Sequence, residues 1–221
     1  MVKLKYLLSG VRYSTDRCIS GVTISRVTND SRKVVKGDLF IALRGQKKDG
    51  YGFIGDAIKR GAKTIVSERD FEAPENVIKV LIKDTRAASP VIASNFYGNP
   101  SKKLRIIGVT GTNGKTTITY IIENILKEAG IPAGVIGTIN YRINERRLPA
   151  ANTTPGPLEL QALFDMMLKS GVKNVVMEAS SHSLDQGRVD NVLFDVGIFT
   201  NITKEHLDYH KTIKKYFAAK I

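Results

Sequence analysis

Residues 104–129 read LRIIGVTGTNGKTTITYIIENILKEA. Leu104–Thr110 is a short run rich in Ile and Val, the pattern of a buried strand. Lys115–Ala129 follows helical spacing and closes on Gly130, as a helix with a glycine cap does. Between them lies the turn Gly108-Val-Thr-Gly111-Thr112-Asn113-Gly114-Lys115-Thr116-Thr117. Glycines let the backbone fold tightly, so that several N–H groups and the helix N-terminus point at one anion. Lys115 can then set its charge between the outer phosphates of a nucleotide, and Thr116 can hold Mg²⁺ through its hydroxyl. The usual phosphate-loop spacing asks for glycine at 109, where this chain has Val109, with glycines at 108 and 111 instead. The strand–turn–helix context carries the reading.

Downstream the alternation continues. Strands are expected at Ala133–Ile139, Asn174–Glu178 and Phe194–Thr200, a helix at Pro157–Lys169, and a polar excursion at Asn140–Thr154. A last helix opens near Thr212 and runs to Ile221 without a cap, which leads us to expect a portion of a longer protein. Strands alternating with helices of this length imply a mostly parallel sheet. Upstream, Val22–Val27, Leu39–Leu43, Lys63–Val66 and Val77–Ile82 read as strands. Gly52–Arg60 and Thr85–Tyr97 read as helices, the second starting at Ser89 if Pro90 takes the first helical position. Gly98-Asn99-Pro100 breaks the pattern. The fold class expected is α/β: a small domain at 1–100, then a mostly parallel phosphate-loop sheet at 101–221, incomplete at its C-terminus.

Composition limits the alternatives. The chain has 221 residues, is 42% hydrophobic and 25% charged, and contains 7 prolines, which argues against disorder, collagen and coiled coil. One cysteine, Cys18, can neither close an intrachain disulfide nor build a thiolate metal site, so a reducing, cytoplasmic setting is expected. The apolar stretch of the N-terminus is too short for a signal peptide, and no run approaches a membrane span. Lys+Arg number 34 against 21 Asp+Glu, a net charge of +13. The excess is spread over both halves, with KK pairs at 47–48, 102–103 and 214–215 among the densest points. There is no Trp and no basic run interleaved with aromatics, so the surface suits small anionic substrates rather than nucleic acid.

Four further stretches carry chemistry. Glu178 ends an apolar strand and precedes Ala-Ser180-Ser181-His182; it is either an acid at the ligand-binding edge of a parallel sheet or an ordinary strand-end carboxylate in solvent. His206-Leu-Asp208-Tyr-His210 places His and Asp together as metal ligands or acid–base groups, although a lone histidine is more often structural. Asn152-Thr153-Thr154-Pro155-Gly156-Pro157 is equally a helix-capping turn. Asn29-Asp30-Ser31-Arg32 sets a hydroxyl beside a cation, which could grip an anionic ligand; read on its own it is more simply a plain surface turn.

Taken together, TGTNGKTT, NTTP, EASSHSL with Arg188 downstream, FTNIT and HLDYH resemble the central domain of the Mur ligases. NDSRKVVKGDLFIALRG, DGYGFI and AIKRGA resemble the nucleotide-sugar-binding domain of the branches adding the third and later residues, and NTTP with HLDYH favours the third. The resemblance implies a cytoplasmic, ATP- and Mg²⁺-dependent amide ligase of peptidoglycan precursor synthesis. Its substrates would be UDP-N-acetylmuramoyl-L-alanyl-D-glutamate and a diamino acid, joined through an acyl phosphate, with no nucleic-acid partner and no membrane insertion. By motif, Gly111, Thr112, Asn113, Gly114, Lys115, Thr116 and Thr117 would hold ATP. Thr116, Glu178 and His206 would bind Mg²⁺. Ser31 would contact the uridine end, and Asn152, Thr153, Thr154, Ser180, Gln186 and Arg188 would line the path of the muramoyl dipeptide. Lys115, Glu178, His206 and Lys220 form the implied catalytic set.

Lys220, in Ala218-Ala219-Lys220, matches a lysine that the family carbamylates into a further metal ligand. Carbamylation needs a neutral amine. As the penultimate residue of an uncapped helix, Lys220 is expected to be solvated, with a pKa of about 10.4, unmodified, and the chain inactive alone. Two departures stand: Glu205 replaces the family's usual Asp before His-Leu-Asp, and the family's remaining ATPase and amino-acid-selecting parts are absent from these residues. Other readings are a folylpolyglutamate or cyanophycin synthetase type of the same superfamily, or a non-catalytic UDP-sugar-binding protein.

Overall fold

The computed structural model describes residues 1–45 and 49–221; Lys47 and Lys48 lie outside them. The chain divides into two compact units, Met1–Gly98 and Asn99–Ile221.

The first unit holds β1 (Val2–Lys3), α1 (Leu4–Leu7), β2 (Tyr13–Thr15), β3 (Thr23–Ile24), β4 (Val27–Thr28), β5 (Leu39–Ile41), α2 (Ile54–Lys59), β6 (Thr64–Ser67), β7 (Ile78–Ile82) and α3 (Thr85–Phe96). Its five-stranded sheet has the order β2-β7-β6-β5-β4, parallel except for β2, and β1 pairs antiparallel with β3. Phe40, Ile65, Ala57 and Val77 fill its core, so β5 and β6 read as apolar runs rather than alternating ones.

One sequence expectation changes here, and one alternative closes. Val22–Val27 is not one strand: Thr23–Ile24 pairs with β1 and Val27–Thr28 with β5, so the chain switches partners between them. Helix α3 does not wait for Pro90. It starts at Thr85, because Asp84 accepts hydrogen bonds from the N–H groups of Arg86 and Ala87, and Pro90 sits inside the helix. An aspartate cap outweighs the one backbone bond a proline removes when the proline side chain is buried.

The second unit runs β8 (Arg105–Thr110), α4 (Lys115–Glu128), β9 (Ala133–Ile136), β10 (Asn140–Ile143), β11 (Arg146–Pro149), α5 (Pro157–Lys169), β12 (Asn174–Glu178), α6 (Ser181–Asp185), β13 (Val196–Phe199), α7 (Leu207–His210) and α8 (Ile213–Ala218). Strand order is β11-β10-β9-β12-β8-β13, with β9, β12, β8 and β13 parallel. The parallel strands therefore end on one edge, at Ile136, Glu178, Thr110 and Phe199. Phe164, Met167, Leu160, Val175 and Met177 build the core between α5 and the sheet.

The stretch 140–149 is an antiparallel hairpin rather than a polar excursion. Asn144 takes the left-handed turn conformation, φ 52°. Arg142 is buried on it because Glu123 of α4 grips its guanidinium at 2.6 Å on both arms while Tyr120 lies beneath it at 4.0 Å. That pairing neutralises a charge the sequence pattern alone assigns to solvent. The last helix opens where expected, with the Thr212 hydroxyl accepting from the Lys215 N–H, but it closes at Ala218 rather than running to Ile221.

Candidate functional site

Gly111 is the hinge of the phosphate-loop turn. Its φ is 140°, and a side chain there would run into the Thr200 hydroxyl and the Asn201 backbone. Gly114 has φ 83° and admits α4 directly behind it. Gly108, in contrast, lies within β8, where a Cβ would sit 2.8 Å from the Phe194 ring. Its smallness serves packing under the sheet, and Val109 is a fully buried strand residue. The loop proper is thus 111–114.

Residues after β13 clamp that loop. The Asn201 carbonyl accepts from the Thr112 N–H at 2.9 Å, the Asn201 side chain accepts from the Asn113 N–H at 3.1 Å, and the Thr200 hydroxyl donates to the Asn113 carbonyl at 2.7 Å. Tyr216 of α8 is buried, with its hydroxyl 3.1 Å from Thr112 Oγ1. Thr200, Asn201 and Tyr216 thus belong to the loop's support. FTNIT quotes the first two without a role, and nothing in the sequence ties Tyr216 to residue 112.

Lys115 Nζ donates to the carbonyls of Gly111 at 2.9 Å and Thr112 at 2.8 Å, and so lies over the loop. Thr116 Oγ1 donates to Glu178 Oε1 at 3.0 Å. Glu178 is only 1% exposed, so it is not a solvated strand-end acid. The 152–154 loop joins the same edge: Thr154 Oγ1 donates to the Glu178 carbonyl at 2.8 Å and accepts from the Ser180 N–H. Arg188 donates to Gln186 Oε1 and to the Thr154 carbonyl. A cavity of about 560 Å³ is lined by Thr112–Thr117, Thr138, Asn152–Thr154, Glu178, Ser180, His182, Arg188 and His206. Gln186 stands behind Arg188.

His206 reaches this cavity from a left-handed backbone position, φ 53°, with its ring edge-on to His182 and Nε2 3.8 Å from Glu205. Burial, then the neighbouring His206, His210 and Arg188, hold the His182 imidazole below its ordinary pKa. Ser31 belongs to the first unit. It is buried in a short 3-10 turn, while Arg32 is turned onto Asp30 in a two-pronged pair rather than toward a ligand.

Lys220 overturns its expectation. It is 8% exposed, its Nζ donates to the Gly111 carbonyl at 2.8 Å and lies 4.8 Å from the Tyr216 ring centre. Burial, and then the charge of Lys115, lower its pKa to about 8. The turn after α8 brings it back over the loop, which position along the chain does not reveal.

Residues 109–221 match the Mur ligase middle domain, and residues 23–97 match the Mur ligase family, catalytic domain. The chain belongs to the Mur ligase family. Among curated Mur ligases, it is 46% identical over 217 residues to the UDP-N-acetylmuramoyl-L-alanyl-D-glutamate–2,6-diaminopimelate ligase of Clostridium perfringens, covering 98% of this chain and 45% of that protein. It is 49% identical over 191 residues to the protein of the same name from Geobacillus kaustophilus, covering 86% and 39%. A solved structure of a ligase of that name superposes with a TM-score of 0.80 at 32% identity, covering 93% of this chain and 42% of that one. Acinetobacter baumannii MurF shares the fold, with a TM-score of 0.72 at 22% identity. The chain thus spans less than half the length of the Mur ligase relatives it matches. No described helix is long and apolar enough to cross a membrane.

Proposed function

We propose that this chain supplies the phosphate-loop and acceptor side of an ATP-dependent ligase that adds a diamino acid to UDP-N-acetylmuramoyl-L-alanyl-D-glutamate. The observation that carries the reading is that one cavity is lined by the phosphate loop, Glu178 and the 152–154 loop together. A phosphoryl donor and a carboxylate acceptor would thus meet at one sheet edge. The named relative that aligns over 98% of this chain and the match of residues 23–97 support the substrate class.

The chemistry follows from the residues. The N–H groups at the start of α4 and the Lys115 ammonium are aimed to bind the outer phosphates, with Lys115 exchanging the Gly111 and Thr112 carbonyls for phosphate oxygens. The acceptor carboxylate attacks the terminal phosphorus, ADP leaves, and an acyl phosphate remains. The incoming amine then attacks the carbonyl carbon; the C–O bond to phosphate breaks, phosphate leaves with the electron pair, and the amine loses a proton. Arg188, tied to Thr154 and Gln186, would hold the anionic acceptor beside the loop. Mg²⁺ suits the oxygens of Thr116 and Glu178, since it is commonly held by one or two carboxylates plus substrate phosphates; these two would hold it, with His206 supplying an imidazole nitrogen beside them. When bound it neutralises phosphate charge.

Lys220 fits a further role. With a pKa of about 8, a useful fraction is neutral near physiological pH, and its nitrogen can attack carbon dioxide, forming an N–C bond and releasing a proton to give a carbamate. Bicarbonate labelled with carbon-13 should give a carbamate signal that Lys220→Met abolishes.

Thermal shift with Mg·ATP tests the core of the proposal. Wild type is expected to be stabilised by about 2.7 kcal/mol at a hundredfold excess over Kd, and Lys115→Ala to lose the shift without losing the fold. An equal shift in the variant would place the nucleotide elsewhere. Calorimetry with the UDP-muramoyl dipeptide tests the first unit: Ser31→Ala should weaken binding, and equal binding would remove Ser31 from the site.

A further inference from the structure

The Glu178 carboxylate is held by a residue that no motif in the sequence singles out. Oε1 accepts from Thr116 Oγ1 and from the Thr138 N–H, each at 3.0 Å, and Oε2 accepts from Thr138 Oγ1 at 3.0 Å. Thr138 follows β9 on the ligand-binding edge, directly after Gly137. A side chain at 137 would press on Glu178 Oε1 and displace the carboxylate from its present place, so glycine keeps the turn close to it. Thr138 Oγ1 also lies 3.0 Å from Thr153 Oγ1. A hydroxyl has one proton to give. Because the Thr138 proton goes to Glu178, Thr153 must be the donor between the two threonines. A directed chain therefore runs from the 152–154 loop, through Thr138, to the acid beside the phosphate loop.

A carboxylate offers about four lone-pair directions. Three are occupied here, two on Oε1 and one on Oε2. The direction left open is on Oε2, and Thr138 decides where it points.

We propose that Thr138 is a positioning residue: it orients Glu178 for a divalent cation and ties that orientation to the acceptor loop through Thr153. This rests on the Mg·nucleotide reading above. Thr138→Val keeps the branched shape and the backbone N–H but removes the hydroxyl. Thr138→Ser keeps the hydroxyl, and Thr138→Ala removes it without added bulk, should the valine variant fold poorly. The measurement is ATP affinity of the 221-residue chain by calorimetry, titrated with MgCl₂ and repeated in EDTA.

The expected result is that Val and Ala raise the Mg²⁺ concentration needed for half-maximal ATP affinity by about tenfold, the loss of one hydrogen bond to a charged group. ATP affinity in EDTA stays unchanged, and Ser restores the wild-type requirement. An unchanged Mg²⁺ requirement in Val and Ala overturns the proposal. So does an equal loss of affinity with and without Mg²⁺, which would mark a merely structural role, or a serine variant that fails to rescue. If wild type itself shows no Mg²⁺-dependent ATP binding, the functional reading falls as well; if it does and only the variants match it, the positioning role alone falls.

Discussion

Lys220 binds its proton less tightly when folded, with a pKa of about 8 against 10.5 for the free side chain. Between those values the unfolded chain holds the proton and the folded chain does not. Stability therefore rises with pH across that window, and the cost of the buried ammonium is fully present below it. Lys220→Met keeps the apolar stem and discards the charge. It is expected to stabilise the protein by roughly 1–2 kcal/mol at neutral pH and to flatten the rise between pH 8 and 10.5. Urea midpoints measured across pH would show it; an equally steep rise in the variant would move the effect to another group. The same residue marks where sequence reading stops. From the sequence Glu178 is open between a ligand-edge acid and a solvated one, and its burial decides. Lys115 and Thr116 are legible because strand–turn–helix order places them locally. Lys220 is not, since its burial depends on a turn that folds it over residues more than a hundred positions earlier. Thr138 escapes for a different reason: its role is set by a glycine-permitted close approach between two strand ends, which leaves no motif.

Elements with strong local signals match their sequence reading closely: α4, α5 and β12 have nearly the bounds that periodicity, Gly and Pro suggest. The departures occur where a tertiary partner overrides local pattern. The 140–149 hairpin forms because Glu123 and Tyr120 accept Arg142, and β3 and β4 separate because each finds a different neighbour. Helix starts are governed by caps. Asp84→Ala should cost about 1 kcal/mol through the two N–H groups it strands, and denaturant melts of the two proteins would detect it. Loss of less than a few tenths would mean α3 is held by packing alone. In the phosphate loop, Gly111→Ala should cost roughly 1–3 kcal/mol, from a backbone region closed to side chains, and should abolish the ATP-dependent thermal shift. Retention of that shift would show the loop adapting in a way its clamp by Thr200 and Asn201 argues against.

Across the whole molecule, a net charge of +13 draws polyphosphates toward the loop at long range. ATP affinity is expected to fall several-fold as KCl is raised from low to high concentration, with the Debye length shrinking from about 30 Å at 0.01 M to about 3 Å at 1 M. Calorimetry at a series of salt concentrations checks this, and a flat series would leave only short-range contacts. The same charge has a second effect, set by β13. Among the described residues that strand is one of the sheet's two edges, and it carries no charged residue; Val196 is 47% and Phe199 42% exposed. Edges of this kind pair with other chains unless something keeps the chains apart. In the 221-residue chain the expected guard is mutual repulsion between like-charged copies, which salt would remove. The colloidal behaviour should therefore run opposite to common handling practice: light scattering should show copies repelling one another in dilute buffer and attracting in concentrated KCl, and a lysine introduced as Val196→Lys should keep them apart in both.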